Sequence, residues 1–241
     1  MNIFDSPYHD LAGQTLSWLP MDTQSLYIDN LRTNRDLLAK YNWIDAEITY
    51  QFNDQGFRSE EFDCSRSILF LGCSFTMGIG LPYEQTWPYL VATDLALKNF
   101  NLGIGGGSND TAFRLGQYWI PKLLPQVVVW LLSYQDRIEL LDQTKAHQIL
   151  GSDLTETPGS DYMKMYVSQN FNGVLNKRKN LLALQQVCHN LKIPLVTIDD
   201  VPMGLPVNLE YKDLARDLMH PGVICNQDLS ARVLKMISEV L

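Results

Sequence analysis

A serine and an Asp-His pair, far apart along the chain, are the residues best suited to nucleophilic chemistry. Ser74 stands in the segment GCSFT (72–76), directly after the continuous apolar run 68–71. Asp217 precedes His220 by three residues, and a Pro-Gly pair follows the histidine. An aspartate can orient an imidazole and stabilise its charged form, and the imidazole can then remove the proton of a serine hydroxyl. The pattern therefore predicts Ser74 as nucleophile, with Asp217 and His220 as its activating pair.

Glycines surround the candidate nucleophile. Gly72 lies before Ser74, and Gly78 and Gly80 follow it. Such a strand-to-helix turn allows close approach of a substrate and presents backbone N–H groups to a developing oxyanion. The simpler alternative is a serine that caps the helix of a glycine-rich turn.

Two further loops carry candidate oxyanion donors. The segment 101–110, NLGIGGGSND, contains Gly106 and Asn109 and follows an apolar stretch. Its glycines do not fit the GxGxxG spacing of dinucleotide-binding loops, because Ser108 occupies the sixth position. Bare backbone amides facing an anionic centre are the preferred interpretation, and a tight turn with a helix cap is the alternative. The next such loop, SYQDR (133–137), offers the side-chain amide of Gln135, which otherwise is a turn residue.

Alternating strands and helices must position these loops. Short apolar runs predict buried parallel strands, and longer stretches between them predict helices. Ligands bind beyond the carboxyl ends of such strands, where all these candidates lie. The chain is therefore predicted to be an α/β protein, a three-layer α/β/α sandwich around a doubly wound, flavodoxin-like parallel sheet. Predicted strands are 68–71, 99–102, 127–132 and 194–198, and predicted helices are 86–97, 110–123, 174–191 and 226–240.

Two regions depart from this alternation. Residues 1–65 are polar and aromatic-rich, and the alternating piece 48–52 with the turn-like 53–56 predicts a hairpin or an arm packed on the body 66–241. Residues 136–172 are irregular and are predicted to form an insertion or lid. One domain with an N-terminal arm is expected, since 241 residues suffice for one three-layer domain.

The composition of the chain limits which binding partners and metal sites are expected. The formal net charge of −8 disfavours a nucleic-acid partner, because an acidic surface repels phosphates. The four cysteines form no CxxC pair, so no zinc site is expected and reduced thiols are predicted. The sequence begins without a signal-peptide pattern and contains no membrane-spanning apolar stretch, which predicts a cytoplasmic location.

Taken together, these segments resemble the SGNH, or GDSL-type, serine hydrolase superfamily. The resemblance covers residues 67–241 with four blocks in the expected order. It implies Ser74 as nucleophile and backbone oxyanion donor, Gly106 as a second donor, and Asp217 with His220 as acid and base. The piece TWP (86–88) is typical of one branch, and YQFN to GFR (50–58) resembles the N-terminal extension of some members.

Two positions differ from the family pattern. Cys73 stands where an aspartate usually precedes the nucleophile, and SYQD (133–136) stands where the family has Gly-x-Asn-Asp. The usual asparagine donates a side-chain hydrogen bond to the oxyanion. Gln135 or Asn109 can take that place, and if neither does, one donor is missing. Loss of one such donor typically costs about 10²–10³ in turnover.

The resemblance implies a serine esterase that forms an acyl-enzyme and needs no metal or organic cofactor. The expected substrate is a small-molecule or glycan ester, such as an O-acetylated carbohydrate or a short acyl ester. The alternative from another class is a non-catalytic binding or structural module that retains the fold, since a fold alone does not guarantee function. A nucleotide-binding α/β domain is a third interpretation, and it leaves the Asp217-x-x-His220 pair unexplained.

Overall fold

A parallel sheet forms the centre of this computed structural model, which describes residues 3–142, 146–149, 170–199 and 211–241. Numbered along the chain, the described strands are β1 (Thr15–Leu16), β2 (Tyr50–Gln51), β3 (Ser67–Leu71), β4 (Lys98–Asn101), β5 (Val127–Leu131), β6 (Ile138–Leu141), β7 (Ala146–Ile149) and β8 (Leu195–Ile198). The described helices are α1 (Gln24–Thr33), α2 (Arg35–Lys40), α3 (Ser74–Met77), α4 (Trp87–Asp94), α5 (Asn109–Leu123), α6 (Asn170–Leu191) and α7 (Val223–Ser238).

The central sheet has the order β4-β3-β5-β8, with every neighbouring pair parallel. Its inner strands are continuous apolar runs because both faces of the sheet are covered by helices. Successive side chains of a strand point to opposite faces. Leu69 and Leu71 accordingly pack toward α5 and α6, whereas Phe70 packs toward α4 and α7.

This architecture confirms the predicted α/β fold class, because a parallel sheet is covered by helices on both faces. Helices lie on both faces, and the chain steps outward from β3 in both directions, as in doubly wound sheets. The four predicted strands and four predicted helices are present, and no boundary is shifted by more than four residues. Crossover connections of this kind bring the loops after β3, β4 and β5 to one edge of the sheet.

The N-terminal segment is built differently from the prediction of a local hairpin. Tyr50 and Gln51 pair with Leu16 and Thr15 in an antiparallel manner, so the partner strand lies more than thirty residues earlier. The turn 53–56 instead closes on Phe57, whose carbonyl accepts a hydrogen bond from Asn53 N–H at 2.8 Å. The hairpin prediction is therefore wrong, because long-range pairing replaced the local one.

A third apolar cluster joins this segment to the rest of the chain. Leu38, Trp43 and Tyr50 are buried in it together with Ile79 from the loop after α3 and Ala215 from the loop before α7. We refer to residues 3–65 as the arm. The boundary predicted at residue 65 stays a prediction, and the arm shares its core with the loops that carry the candidate site.

The region predicted as an insertion or lid is described only in part. Strands β6 and β7 form an antiparallel hairpin within it, and residues 143–145 and 150–169 lie outside the described residues. The lid remains a prediction. Within the described ranges, no helix has the length and hydropathy needed to cross a membrane.

Candidate active site

Strand register brings three of the predicted loops together at the carboxyl edge of the sheet. Phe70 lies opposite Asn101 on β4, and Leu71 lies opposite Trp130 on β5. The loops that leave these strands therefore begin side by side. The N–H of Ile104 donates to the carbonyl of Gly72 at 3.1 Å, which ties the second loop to the first.

Ser74 opens the short helix α3 at this edge, directly after Cys73 in extended conformation. The residue is buried, with 5% of its surface exposed. The glycine-rich loop packs tightly on this helix, since a Cβ at Gly103 would lie 2.6 Å from the backbone nitrogen of Met77. The side chain of Asn101 donates to the carbonyl of Thr76 at 2.7 Å. The helix that begins at Ser74 is thus held from the β4 side.

Asp217 and His220 form a closed, buried pair within one turn of chain. Asp217 Oδ2 is hydrogen-bonded to His220 Nδ1. Its other oxygen, Oδ1, accepts from the backbone N–H groups of Met219 and His220, each at 3.0 Å. A carboxylate bonded at Nδ1 fixes the imidazole tautomer that leaves Nε2 as the acceptor. The pair has the geometry of an orienting acid with its base.

Two contacts join this pair to the turn that carries Ser74. The ring of Phe75 meets the ring of His220 edge-on, with centroids 5.6 Å apart. The carbonyl of Gly80 accepts from Arg216 N–H at 3.0 Å, and a Cβ at Gly80 would lie 3.3 Å from Asp217 Oδ1. The structure therefore brings the two distant sequence segments together. Among the described hydrogen bonds, none yet joins the Ser74 hydroxyl to the imidazole, and such bonds often tighten only when substrate binds.

The glycine loop presents backbone beside the nucleophile turn. Gly106 has a φ of +70°, a conformation that glycine adopts without strain. At Gly105, a Cβ would lie 2.6 Å from the hydroxyl of Tyr8, which the arm contributes. Burial raises the pKa of Tyr8 to about 12, so this hydroxyl stays protonated at neutral pH. The role of Gly106 as an oxyanion donor stays a prediction.

Asn109 and Gln135 differ in their surroundings. The Asn109 side-chain amide donates to the carbonyl of Ser133 at 3.0 Å, and its oxygen accepts from Ser133 N–H at 2.9 Å. The residue thus locks the second loop to the third, with one of its two N–H groups engaged. The backbone of Gln135 packs tightly against α6. A Cβ added at Gly173, on that helix, would overlap the Gln135 carbonyl. Which of the two completes an oxyanion hole stays a prediction.

Aromatic side chains border the Asp-His pair on the side of the third loop. Tyr211 meets Phe75 edge-on at 6.4 Å. Burial, and then the nearby Tyr134, raises the pKa of Tyr211 to about 12. The guanidinium of Arg137 lies over the Tyr134 ring at 4.8 Å. Phe75 and Tyr211 could not be predicted from the sequence, since single aromatic residues without a motif carry no positional signal.

A buried arginine of the arm was also missed. Arg58 donates to the carbonyls of Gly78 at 2.5 Å and Leu81 at 2.7 Å, at the far end of α3. Burial lowers its pKa to about 10, which leaves it charged at neutral pH. A cation at a helix carboxyl end is electrostatically favourable. The only sequence signal was an arginine within the family-like piece GFR (56–58).

Comparisons with known proteins add distant likenesses. No protein-family model matches the chain, and no curated protein matches it in sequence. Solved structures that align with it include the psychrotrophic esterase EstA from Pseudoalteromonas sp., at 15% identity and a TM-score of 0.40, covering 72% of this chain and 97% of that one. The lipase/acylhydrolase from Enterococcus faecalis aligns at 17% identity and a TM-score of 0.37, covering 73% and 97%. A family two carbohydrate esterase from Clostridium thermocellum, solved with cellohexaose, aligns at 17% identity and a TM-score of 0.37. That alignment covers 72% of this chain and 64% of that one. Likenesses of this order assign no activity to this chain.

Proposed function

We propose that the protein is a serine esterase with Ser74 as nucleophile, His220 as general base and Asp217 as the orienting acid. The observation that carries this proposal is the buried Asp217–His220 pair, set against Phe75 on the turn that begins at Ser74. Without a catalytic role, there is no physical reason for Ser74, Asp217 and His220 to occur together in loops that meet.

The proposed cycle has two halves. His220 Nε2 accepts the proton of the Ser74 hydroxyl as that oxygen attacks the ester carbonyl, and Asp217 stabilises the imidazolium. His220 then returns the proton to the leaving alcohol, which departs as the acyl-enzyme forms. Water, deprotonated by the same imidazole, releases the acid and regenerates the serine. This cycle requires no metal or organic cofactor.

The tetrahedral intermediate requires hydrogen-bond donors at its oxyanion. The backbone amides of Ser74 and Gly106 are the proposed donors, together with the side chain of Gln135 or Asn109. Asn109 has one N–H already bonded to Ser133. For Gln135, a glutamine has a longer side chain than the asparagine it would replace. The variant Gln135→Ala decides between the two side chains. Turnover falls by about 10²-fold where Gln135 is the donor, and it changes little where Asn109 is.

The proposed substrate is a carboxylic ester with a small acyl group, with O-acetylated carbohydrate and short acyl esters as the leading choices. The aromatic border formed by Phe75, Tyr134 and Tyr211 offers flat apolar surfaces of the kind that sugar rings and short acyl chains contact. Within the described residues, no cluster of His, Cys, Asp or Glu is arranged to hold a metal ion.

The decisive experiment is labelling with a fluorophosphonate probe, read by intact mass. One adduct on the parent protein and none on Ser74→Ala is expected, because the probe reports an activated serine without requiring the natural substrate. His220→Gln should slow labelling by about 10²–10⁴-fold, since the base is lost. A folded parent protein that takes up no probe would contradict the proposal and favour a binding module that retains the fold.

A further inference from the structure

A buried ion pair joins the arm to the loop that carries the Asp-His pair. Arg216 Nε donates to Asp22 Oδ1 at 3.1 Å, and Nη2 donates to Asp22 Oδ2 at 2.7 Å. The two side chains are 3% and 1% exposed. The guanidinium also lies over the ring of Trp18 at 4.1 Å. Arg216 immediately precedes Asp217, so its backbone position is fixed beside the proposed acid.

Tyr50 extends this pair to the nucleophile turn. Its hydroxyl donates to Asp22 Oδ2 at 2.5 Å and accepts from the N–H of Gly80 at 2.9 Å. Burial, and then the charge of Asp22, raises the pKa of Tyr50, so the phenol stays protonated and able to donate. The carbonyl of Gly80 in turn accepts from Arg216 N–H at 3.0 Å. The four residues therefore close a ring of hydrogen bonds between the loop after α3 and the loop before α7.

Two more arm residues hold the loop before α7. Trp43 Nε1 donates to the carbonyl of Leu214 at 2.7 Å, and Asn30 Nδ2 lies 3.5 Å from the carbonyl of Asp217. Buried ion pairs contribute little net stability, because desolvation offsets their attraction, and apolar replacements are often as stable. A stability role therefore explains this ring poorly. Fixed geometry between two loops that must meet explains it better, because hydrogen bonds and a bidentate guanidinium are directional.

We infer that Asp22, Tyr50 and Arg216 are positioning residues that set His220 against Ser74. The inference rests on the proposed function and extends it, because it assigns the arm a role in the reaction. None of the three residues touches the reacting atoms. They act through Gly80, which follows the nucleophile, and through the backbone that leads into Asp217. A small displacement of a catalytic group is enough to lower the rate by up to about 10²-fold.

The test is the rate of fluorophosphonate labelling of Tyr50→Phe, measured over a range of probe concentrations. We expect the maximal labelling rate to fall by about tenfold or more while the concentration for half-maximal rate stays unchanged. The matched control is Tyr83→Phe. Tyr83 is a half-buried tyrosine whose hydroxyl accepts from Asn99 at 3.0 Å, outside the ring. The control should label at the parental rate.

Asp22→Asn provides a second variant in case Tyr50→Phe does not fold. It keeps the shape of the side chain and removes its charge, so a comparable fall in maximal rate is expected. In the double variant, the combined loss should be smaller than the product of the single losses, because the two residues act through one ring. Thermal unfolding of each variant verifies that the labelled protein is folded.

The outcomes separate the two proposals. A parent protein that does not label contradicts the esterase proposal itself. A parent that labels at Ser74, with folded Tyr50→Phe and Asp22→Asn variants that label equally fast, overturns the positioning role and leaves the esterase proposal intact. Equal losses in Tyr50→Phe and Tyr83→Phe would also overturn it, since loss of a tyrosine hydroxyl outside the ring would then have the same effect.

Discussion

The central sheet and the arm both hold the candidate site, but the arm adds buried charged groups to its apolar packing. The sheet places Ser74 through strand register and packing of apolar side chains such as Phe70, with backbone hydrogen bonds between strands. The arm uses buried charged groups, with Arg58 at the end of α3 and Asp22 on Arg216. Apolar packing is non-directional and sets the overall position, whereas hydrogen-bonded charges set angles. The sheet therefore brings the loops together, and the arm orients them.

The largest expected effect lies in the sheet. Phe70 is fully buried and meets Trp87 edge-on at 5.1 Å. Phe70→Ala should lower the free energy of unfolding by about 3–5 kcal/mol, because it removes apolar contact and leaves a cavity. Urea denaturation followed by fluorescence measures this loss. Phe171→Ala, at a site 86% exposed, is the control and should change stability little. A loss under about 1 kcal/mol for Phe70→Ala would contradict close packing here.

The arm is expected to unfold together with the sheet. Leu38 is fully buried in the arm's core, so Leu38→Ala should lower the free energy of unfolding by about 2–5 kcal/mol. Its neighbour Leu37 is 37% exposed and serves as the matched control. Denaturation curves read by near-ultraviolet and far-ultraviolet circular dichroism should coincide. Two separate transitions, with only one shifted by Leu38→Ala, would show that the arm and the sheet are independent units.

The N-terminal caps of α5, in the body, and α1, in the arm, should contribute differently to the free energy of unfolding. Ser108 caps α5 reciprocally with Thr111, through two bonds of 3.2 Å, and is fully buried. Ser108→Ala should lower the free energy of unfolding by about 0.5–2 kcal/mol. Thr23 caps α1 with one bond of 3.2 Å to Leu26 N–H and is partly exposed. Thr23→Ala should cost less, and thermal unfolding of both variants tests the order. The reverse order would mean that the arm depends on its caps more than the body does.

The smallest effect is chemical and leaves stability unchanged. Burial raises the pKa of Cys188, on α6, to about 11, so at pH 8 a fraction of roughly 10⁻³ is the reactive thiolate. Cys64 in the arm is exposed. Brief iodoacetamide treatment of the native protein should therefore label Cys64 and spare Cys188, as peptide mass mapping would show. Denatured protein, in which all four cysteines should react, is the control. Equal labelling of both cysteines in the native state would contradict the packing of α6.

The sequence predicted the sheet well and the arm poorly, for one physical reason. Strands such as β3 and β5 are buried on both faces, so their apolar runs are visible locally. The arm's strand β2 is two residues long and pairs with β1 far earlier in the chain, which no local pattern reveals. The helices α1 and α2 were missed because their apolar faces are short and their core is shared with distant loops.

The candidate site divides in the same way. Ser74 and the Asp217-x-x-His220 pair lie in loops with a recognisable order, so the meeting of their segments was predictable. The role of Gly106 stays a prediction. Spacing along the chain does not decide between the oxyanion candidates Gln135 and Asn109, because it cannot reveal the bonds of Asn109 to Ser133. Asp22 and Arg216 were not predicted at all, because an ion pair across 194 positions has no sequence signature.

The distance along the chain between Asp22 and Arg216 affects when their contact can form during synthesis. During synthesis, at about 5–20 residues per second, Asp22 waits roughly 10–40 s before Arg216 is made. The arm is therefore made well before the loop that it contacts, and contacts of such large sequence separation form slowly. The sheet can assemble meanwhile from strands that lie closer together in sequence. The ion pair between Asp22 and Arg216 therefore cannot form until all four strands of the central sheet have been made.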